Sequence, residues 1–203
     1  LYLLYLRETK YSEALDIVEN ILQKNPNKIE VLLDKAYIFL KCENIKSATN
    51  ICIKILSLDT KNIKTINMLG QCYIEDENFK EAEQILKKGI SLDQKYIAIL
   101  NSLGKLYFCL WDLQKSEHFY LDALSNNPKS YQTLNNLAGF YLETNNSKKA
   151  LIYYKKAISI LPNEPTILNN MSKAYLSLNK LDKAEQHCLN ALKIREEDSF
   201  KKI

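Results

Sequence analysis

The chain repeats itself at a fixed interval. The segment NMLGQCYIEDENFKEAEQIL (67–86) aligns with NSLGKLYFCLWDLQKSEHFY (101–120). It aligns again with NNLAGFYLETNNSKKALIYY (135–154) and NNMSKAYLSLNKLDKAEQHC (169–188), each starting 34 residues after the last with no insertion. A period of this length means one supersecondary unit stacked on copies of itself, each copy too small to bury its apolar face alone. With Ile63 at place one, full repeats span 29–62, 63–96, 97–130, 131–164 and 165–198. A partial repeat, 1–28, precedes them and enters at place seven with Leu1, and 199–203 are expected to begin a further helix. One solenoid domain over 1–203 is expected, as part of a longer repeat protein.

The columns have physical causes. Place four reads Leu32, Ile66, Leu100, Leu134 and Leu168, and place eleven reads Tyr5, Phe39, Tyr73, Tyr107, Tyr141 and Tyr175. With places seven and eight they make an i, i+3, i+4, i+7 face, the pattern of an amphipathic helix. Places twenty, twenty-four, twenty-seven and twenty-eight make a second such face. Small residues at place eight (Ala36, Gly70, Gly104, Ala138, Ser172) and at place twenty (Ala14, Ala48, Ala82, Ser116, Ala150, Ala184) let two helices approach closely. Polar stretches such as EDEN (75–78) and ETNN (143–146) supply the short turn between them, because Asn and Asp bond nearby backbone. Pro26, Pro128 and Pro162 at place thirty-two help to end the second helix.

Composition narrows the chemistry. Gly and Pro number only four each, which argues against a β-sandwich with its many turns. No run approaches the ~18 apolar residues of a membrane span. Of 28 cationic residues only Arg7 and Arg195 are Arg, whereas nucleic-acid readers cluster positive charge and use Arg forks. The cysteines (Cys42, Cys52, Cys72, Cys109 and Cys188) are scattered without a CxxC pair. They read as small hydrophobes on helices in a reducing, cytoplasmic compartment, with neither a disulfide framework nor a metal site. No H-E-x-x-H, P-loop or G-x-S-x-G motif is present. His118 and His187 fall on second helices at places twenty-two and twenty-three and read as surface residues.

These columns resemble the tetratricopeptide repeat, whose signature is W-x2-L-G-x2-Y, A-x3-F and P over 34 residues. The nearest single copy is LNNLAGFYLETNNSKKALIYYKKAISILP (134–162), with Leu in place of Trp and Ala138 in place of Gly. The resemblance implies an all-α fold, an α-solenoid of stacked antiparallel helix pairs wound into a right-handed superhelix. Departures are visible. Lys35 stands at place seven where Leu is expected, bulky Tyr2 stands at place eight, and Gly89 stands inside a second helix. Thr60, Gln94 and Glu196 stand where Pro is expected, so softer bends between repeats are predicted there.

The resemblance also implies that first helices line a concave groove, with places two, five, six, nine and thirteen facing it. Place five reads Leu33, Asn67, Asn101, Asn135 and Asn169, and place six adds Asn136 and Asn170. A ladder of amides can hold an extended peptide by its backbone, because each amide offers two donors and an acceptor. Such a ladder resembles that in the repeat arm of O-GlcNAc transferase, where the Asn lies mainly at place six. Lys64, Lys105 and Lys173 are added as groove residues, among the mixed charges of Glu30, Asp34, Lys41, Glu75 and Glu143. The set of Lys, Asn and Arg by which related domains clamp the acidic tails of chaperones is not found in any three repeats. Trp111 in FCLW (108–111) is either an exposed anchor for a partner or packing at the turn.

The function expected is a non-catalytic scaffold binding a protein or peptide segment. The alternative is the substrate-recruiting arm of a larger enzyme, such as a glycosyltransferase or sulfotransferase, whose catalytic domain lies elsewhere. No cofactor, nucleic acid or membrane is expected as a partner. The apolar Leu1, Leu3, Leu4 and Leu6 suggest end-to-end self-association.

Overall fold

The computed structural model describes residues 10–200, with side chains as far as Glu196. The expectations at Leu1, Tyr2, Leu3, Leu4, Tyr5 and Leu6 lie outside the described residues, as does any helix opening at 201–203. The described residues form eleven α-helices and no strand: α1 (Tyr11–Lys24), α2 (Ile29–Lys41), α3 (Ile45–Leu58), α4 (Ile63–Glu75), α5 (Phe79–Leu92), α6 (Ile97–Cys109), α7 (Leu113–Asn126), α8 (Tyr131–Glu143), α9 (Ser147–Ile160), α10 (Pro165–Leu176) and α11 (Leu181–Phe200). The chain divides into two compact units, one up to Leu106 and one from Tyr107 onward, so the division falls inside α6.

In the first unit α2 pairs with α3 and α4 with α5, while α1 packs on α2 and α3 on α4. In the second unit α8 pairs with α9 and α10 with α11, while α7 packs on α8 and α9 on α10. First helices of neighbouring repeats also touch, α2 on α4 and α8 on α10. The fold is therefore an all-α solenoid of helix hairpins, whose first helices open at Ile29, Ile63, Ile97, Tyr131 and Pro165.

The turn inside each hairpin is one recurring device. Place fifteen has left-handed backbone in all five full repeats: Glu43, Glu77, Trp111, Asn145 and Asn179, with φ between 53 and 60°. The N–H of place sixteen bonds back to the carbonyl of place eleven, as in Asn78 to Tyr73 at 2.8 Å and Asn146 to Tyr141 at 2.7 Å. The N–H of place fifteen bonds to place twelve, as in Trp111 to Phe108 at 3.0 Å. Together these are a Schellman motif, which satisfies the last carbonyls of the first helix. Place sixteen then caps the second helix: side-chain oxygens of Asn44, Asp112 and Asn146 accept from the N–H groups of Ser47, Lys115 and Lys149.

Second helices end without needing proline. At place thirty-one the side chains of Asp59, Asp93 and Asn127 accept from the backbone N–H two residues on, at 3.1, 2.9 and 3.1 Å. This Asx turn closes α3, α5 and α7 whether or not proline follows. Arg195 and Glu196 replace both devices in the last repeat. There α11 runs for 20 residues through Phe200, so the helix is unbroken where Ser199 was expected to begin a new one.

The small columns sit where helices touch. Ala14, Ala36, Ala48, Ala82, Ala138 and Ala150 have no exposed surface. A Cβ on Gly70 would lie 2.5 Å from Leu86, and one on Gly89 would lie 2.2 Å from Ile99 and 3.0 Å from Ile66. Gly89 is thus required by the closeness of α5 to α4 and α6, which explains its place in a helix interior. Lys35 is accommodated without Leu: its Nζ sits 3.0 Å from Glu19 and over the Phe39 ring at 5.7 Å.

Candidate functional site

Places five and six lie on the side of the first helices away from buried places four and eight. In the first unit Asn67 of α4 is half-buried, and its Oδ1 accepts from Ser102 Oγ of α6 at 2.8 Å. Gln71, one turn along α4, donates its Nε2 to the same Ser102 oxygen at 3.5 Å. In the second unit Asn170 Nδ2 of α10 donates to Asn135 Oδ1 of α8 at 3.3 Å. Both contacts join place five of one repeat to place six of the next. The side-chain carbonyls of Asn67 and Asn135 therefore serve as acceptors inside the protein, and these contacts leave their Nδ2 groups unused. Asn170 is oriented the other way and keeps its Oδ1 as an acceptor.

Asn101 and Asn169 are half-buried and Asn136 is exposed. Lys64, Lys105 and Lys173 are exposed. Lys105 is ion-paired with Glu75, the next repeat's place nine against place thirteen. The structure thus brings Asn67, Gln71, Ser102, Glu75 and Lys105 into one polar strip in the first unit, and Asn135 and Asn170 together in the second. Gln71 and Ser102 were not among the residues expected from sequence. Their signal was present, since both occupy groove places, nine and six.

Away from this strip, the second unit carries three layered aromatic clusters. Tyr107 stacks on Phe119 (5.4 Å), Tyr141 on Tyr153 (5.4 Å) and Tyr175 on His187 (5.3 Å). A lysine from place nineteen lies over each tyrosine: Lys115 at 4.9 Å, Lys149 at 4.6 Å and Lys183 at 5.9 Å. Such cation–π contacts contribute about 0.5–1 kcal/mol at exposed sites. Tyr141 also donates to Glu117, and burial with that carboxylate beside it pushes the phenol up. Leu113, Gln114, Phe140, Thr144 and Asn146 complete a shallow cleft around Glu117, Tyr141 and Lys149.

Two sequence readings are corrected, for His187 and the cysteines, and the open one for Trp111 is narrowed. His187 is half-buried rather than on the surface, and burial, then Lys155 and Lys183, hold its imidazole below the ordinary range. Trp111 is 75% exposed rather than packed into the turn, with its ring tilted 6.2 Å from Phe108. The five cysteines are not alike: Cys52 and Cys72 are buried, Cys42 and Cys109 are exposed, and Cys42 lies in a turn.

Among the described residues no group of three or more His, Cys, Asp or Glu could hold a metal ion. No helix among them is long and apolar enough to cross a membrane.

Hairpins stacked at a fixed period, with polar side chains linked from one first helix to the next, define a helical-repeat protein. Family models described as tetratricopeptide repeat match residues 63–96, 119–152 and 166–197. The chain belongs to the tetratricopeptide repeat proteins, which in general are protein–protein interaction scaffolds and typically non-catalytic. A thermophilic tetratricopeptide repeat protein from Thermus thermophilus is similar in fold, with a TM-score of 0.81 and 21% identity over 87% of this chain and 96% of that one. A tetratricopeptide repeat protein from Parabacteroides merdae gives 0.82 and 18% over 96% of this chain and 76% of that one. The APC/C hetero-tetramer Cut9–Hcn1 gives 0.77 and 21% over 94% of this chain and 38% of that one. No curated protein matches the chain significantly.

Proposed function

We propose that the first-helix strip of each unit binds an extended peptide or protein segment by its backbone, and that the segment 10–200 acts as a scaffold rather than a catalyst. The observation that carries this reading is the pairing of place five with place six across repeats. Ser102 and Asn170 occupy the carbonyls of Asn67 and Asn135, and these contacts do not use the Nδ2 groups. Within each unit such an amide donor suits a carbonyl of an extended chain, and in the second unit the Asn170 carbonyl suits a peptide N–H. Each such bond contributes about 1 kcal/mol net. Recognition of this kind is indifferent to side chains, so the mixed charges on the strip would set which segments enter.

The test uses a set of unrelated extended peptides as probes. Asn67→Asp in the first unit and Asn135→Asp in the second, made separately, keep the acceptor that Ser102 or Asn170 uses but remove the amide donor. Each variant is expected to melt like the parent and to bind about fivefold more weakly, since one bond of about 1 kcal/mol is lost. Unchanged affinity would move the binding surface away from the strip.

A further inference from the structure

Gly139 stands at place nine of α8, one helical turn from Asn135 on one side and from Glu143 on the other. The other full repeats carry Tyr37, Gln71, Lys105 and Lys173 at this place. A glycine inside a helix needs a reason, because it forms helix less readily than any residue but proline. For Gly70 and Gly89 the reason is packing, since a Cβ would run into Leu86 or Ile99. Packing gives Gly139 no such reason. Outside its own helix backbone, a Cβ there would have one described neighbour within 4 Å, the hydroxyl oxygen of Tyr154, at an ordinary 3.7 Å. Room for a side chain is present and is left unused. The hydroxyl that borders the gap is a second observation. Tyr154 projects from α9 of the same hairpin and is 1% exposed. Among the described residues its hydroxyl has no hydrogen-bond partner. Burial, then the Glu143 carboxylate, pushes this phenol up, so near neutral pH it keeps its proton and can donate.

We propose that the gap at Gly139 is a subsite for an uncharged carbonyl oxygen of a bound segment, whose main chain lies against α8 and accepts a hydrogen bond from the Tyr154 hydroxyl. This rests on the reading of the second unit's strip as a peptide groove and fixes one point of contact on it. Glycine permits a close approach of backbone to ligand that a side chain would hold off. A buried donor without a partner is costly, and a ligand oxygen entering the gap removes that cost. The charge nearby selects the kind of oxygen. Glu143, exposed at the end of α8, places a negative charge on the same side as the Tyr154 hydroxyl. A ligand carboxylate would be repelled there, whereas a main-chain carbonyl accepts without carrying charge. Asn135 lies one turn in the other direction, and its contact with Asn170 leaves its Nδ2 unused. That donor suits another carbonyl of the same segment.

The experiment uses the same set of unrelated extended peptides as probes, with Gly139→Ala and Tyr154→Phe beside the parent and Asn135→Asp. Gly139→Ala is expected to melt at or above the parent's temperature, because alanine favours helix and its Cβ fits the gap. It should nevertheless bind the peptides more weakly, since the filled gap shuts out the carbonyl. Tyr154→Phe keeps the packed ring and loses only the donor, so it should melt like the parent and bind about fivefold more weakly. The chain has four glycines, so isotope labelling at the glycine nitrogen gives few resonances, and the one missing from Gly139→Ala belongs to Gly139. That resonance should move as peptide is added. Unchanged affinity in Gly139→Ala and Tyr154→Phe with a loss in Asn135→Asp would overturn the subsite and leave the strip standing. A Gly139 resonance that stays fixed while peptide binds, or a Gly139→Ala chain that melts lower, would also overturn it. Unchanged affinity in all three variants, or no peptide bound by the parent, would overturn the subsite and the second unit's strip together.

Discussion

The two compact units share one backbone plan and fill it with different side chains. Place twenty-three holds Ile51 and Ile85 in the first unit but Phe119, Tyr153 and His187 in the second. Place twenty-four holds Val18, Cys52 and Leu86 in the first but Tyr120 and Tyr154 in two repeats of the second. Place twenty-seven narrows to Gly89 in the first and is Ala123, Ala157 and Ala191 in the second. The hairpins keep their turns and caps regardless. The small columns and the turn geometry therefore set the backbone, while the residues that fill the seams are exchangeable as long as their volumes match. The first unit joins its repeats through aliphatic side chains and glycine, while in the second Phe108 and Tyr120 of one repeat meet Phe140 of the next, and the tyrosine stacks topped by lysine hold each hairpin together.

The comparison breaks most visibly at place twenty-four. Tyr154 is 1% exposed and Leu86 is fully buried. Tyr154→Ala is expected to cost about 3–5 kcal/mol and Leu86→Ala about 2–5, with Cys52→Ala lowest because so little volume is lost. Denaturant melts of the three variants, read against the parent, check the order. Equal costs would mean that the seams collapse after truncation and that filler volume does not matter. Next in size is Gly89→Ala. Helix propensity alone favours it by about 1 kcal/mol. The added Cβ, however, meets buried Ile99 at 2.2 Å and Ile66 at 3.0 Å. Overpacking of this kind costs about 1–3 kcal/mol, so a net loss of about 1 kcal/mol is expected, visible as a lower denaturant midpoint. A gain in stability would show that Ile99 moves aside freely and that the first unit is less tightly packed than the second.

Much of the fold was legible because it is local. The 3.6-residue faces, the small places eight and twenty, and the polar turns all fall within one repeat, and their spacing fixes the hairpin. The seams were not legible in the same way. Gln71 with Ser102, and Tyr141 with Glu117, meet across repeats, and the period says nothing about which place faces which. The structure supplies that offset: place twenty-one meets place eleven, and place five meets place six. Once one offset is known the others follow by translation. The asparagine column was visible from sequence, but the engagement of its carbonyls by Ser102 and Asn170 was not. The ends of α3 and α5 were misjudged for a different reason. Proline was read as the stop, while the Asx turns of Asp59 and Asp93 do that work one place earlier.

The turn tips sharpen the comparison further. All five full repeats need left-handed backbone at place fifteen. The second unit uses Asn145 and Asn179 there, and asparagine is among the few side chains that tolerate this region. The first unit uses Glu43 and Glu77. Trp111 is the outlier, a bulky residue at φ 58° in a conformation that costs L-residues roughly 1–2 kcal/mol. Burial does not offset that cost, because 75% of the indole is exposed. Trp111→Asn is therefore expected to stabilise the chain by about 0.5–1 kcal/mol, keeping the Schellman bonds from Trp111 N–H to Phe108 and from Asp112 N–H to Tyr107. A small rise in the denaturant midpoint at unchanged helicity would be the signature. A fall would mean that the tilted contact with Phe108 holds the turn more firmly than the backbone preference opposes it. In that case the tip would belong with the aromatic seams of the second unit and not with the turn device common to all five repeats.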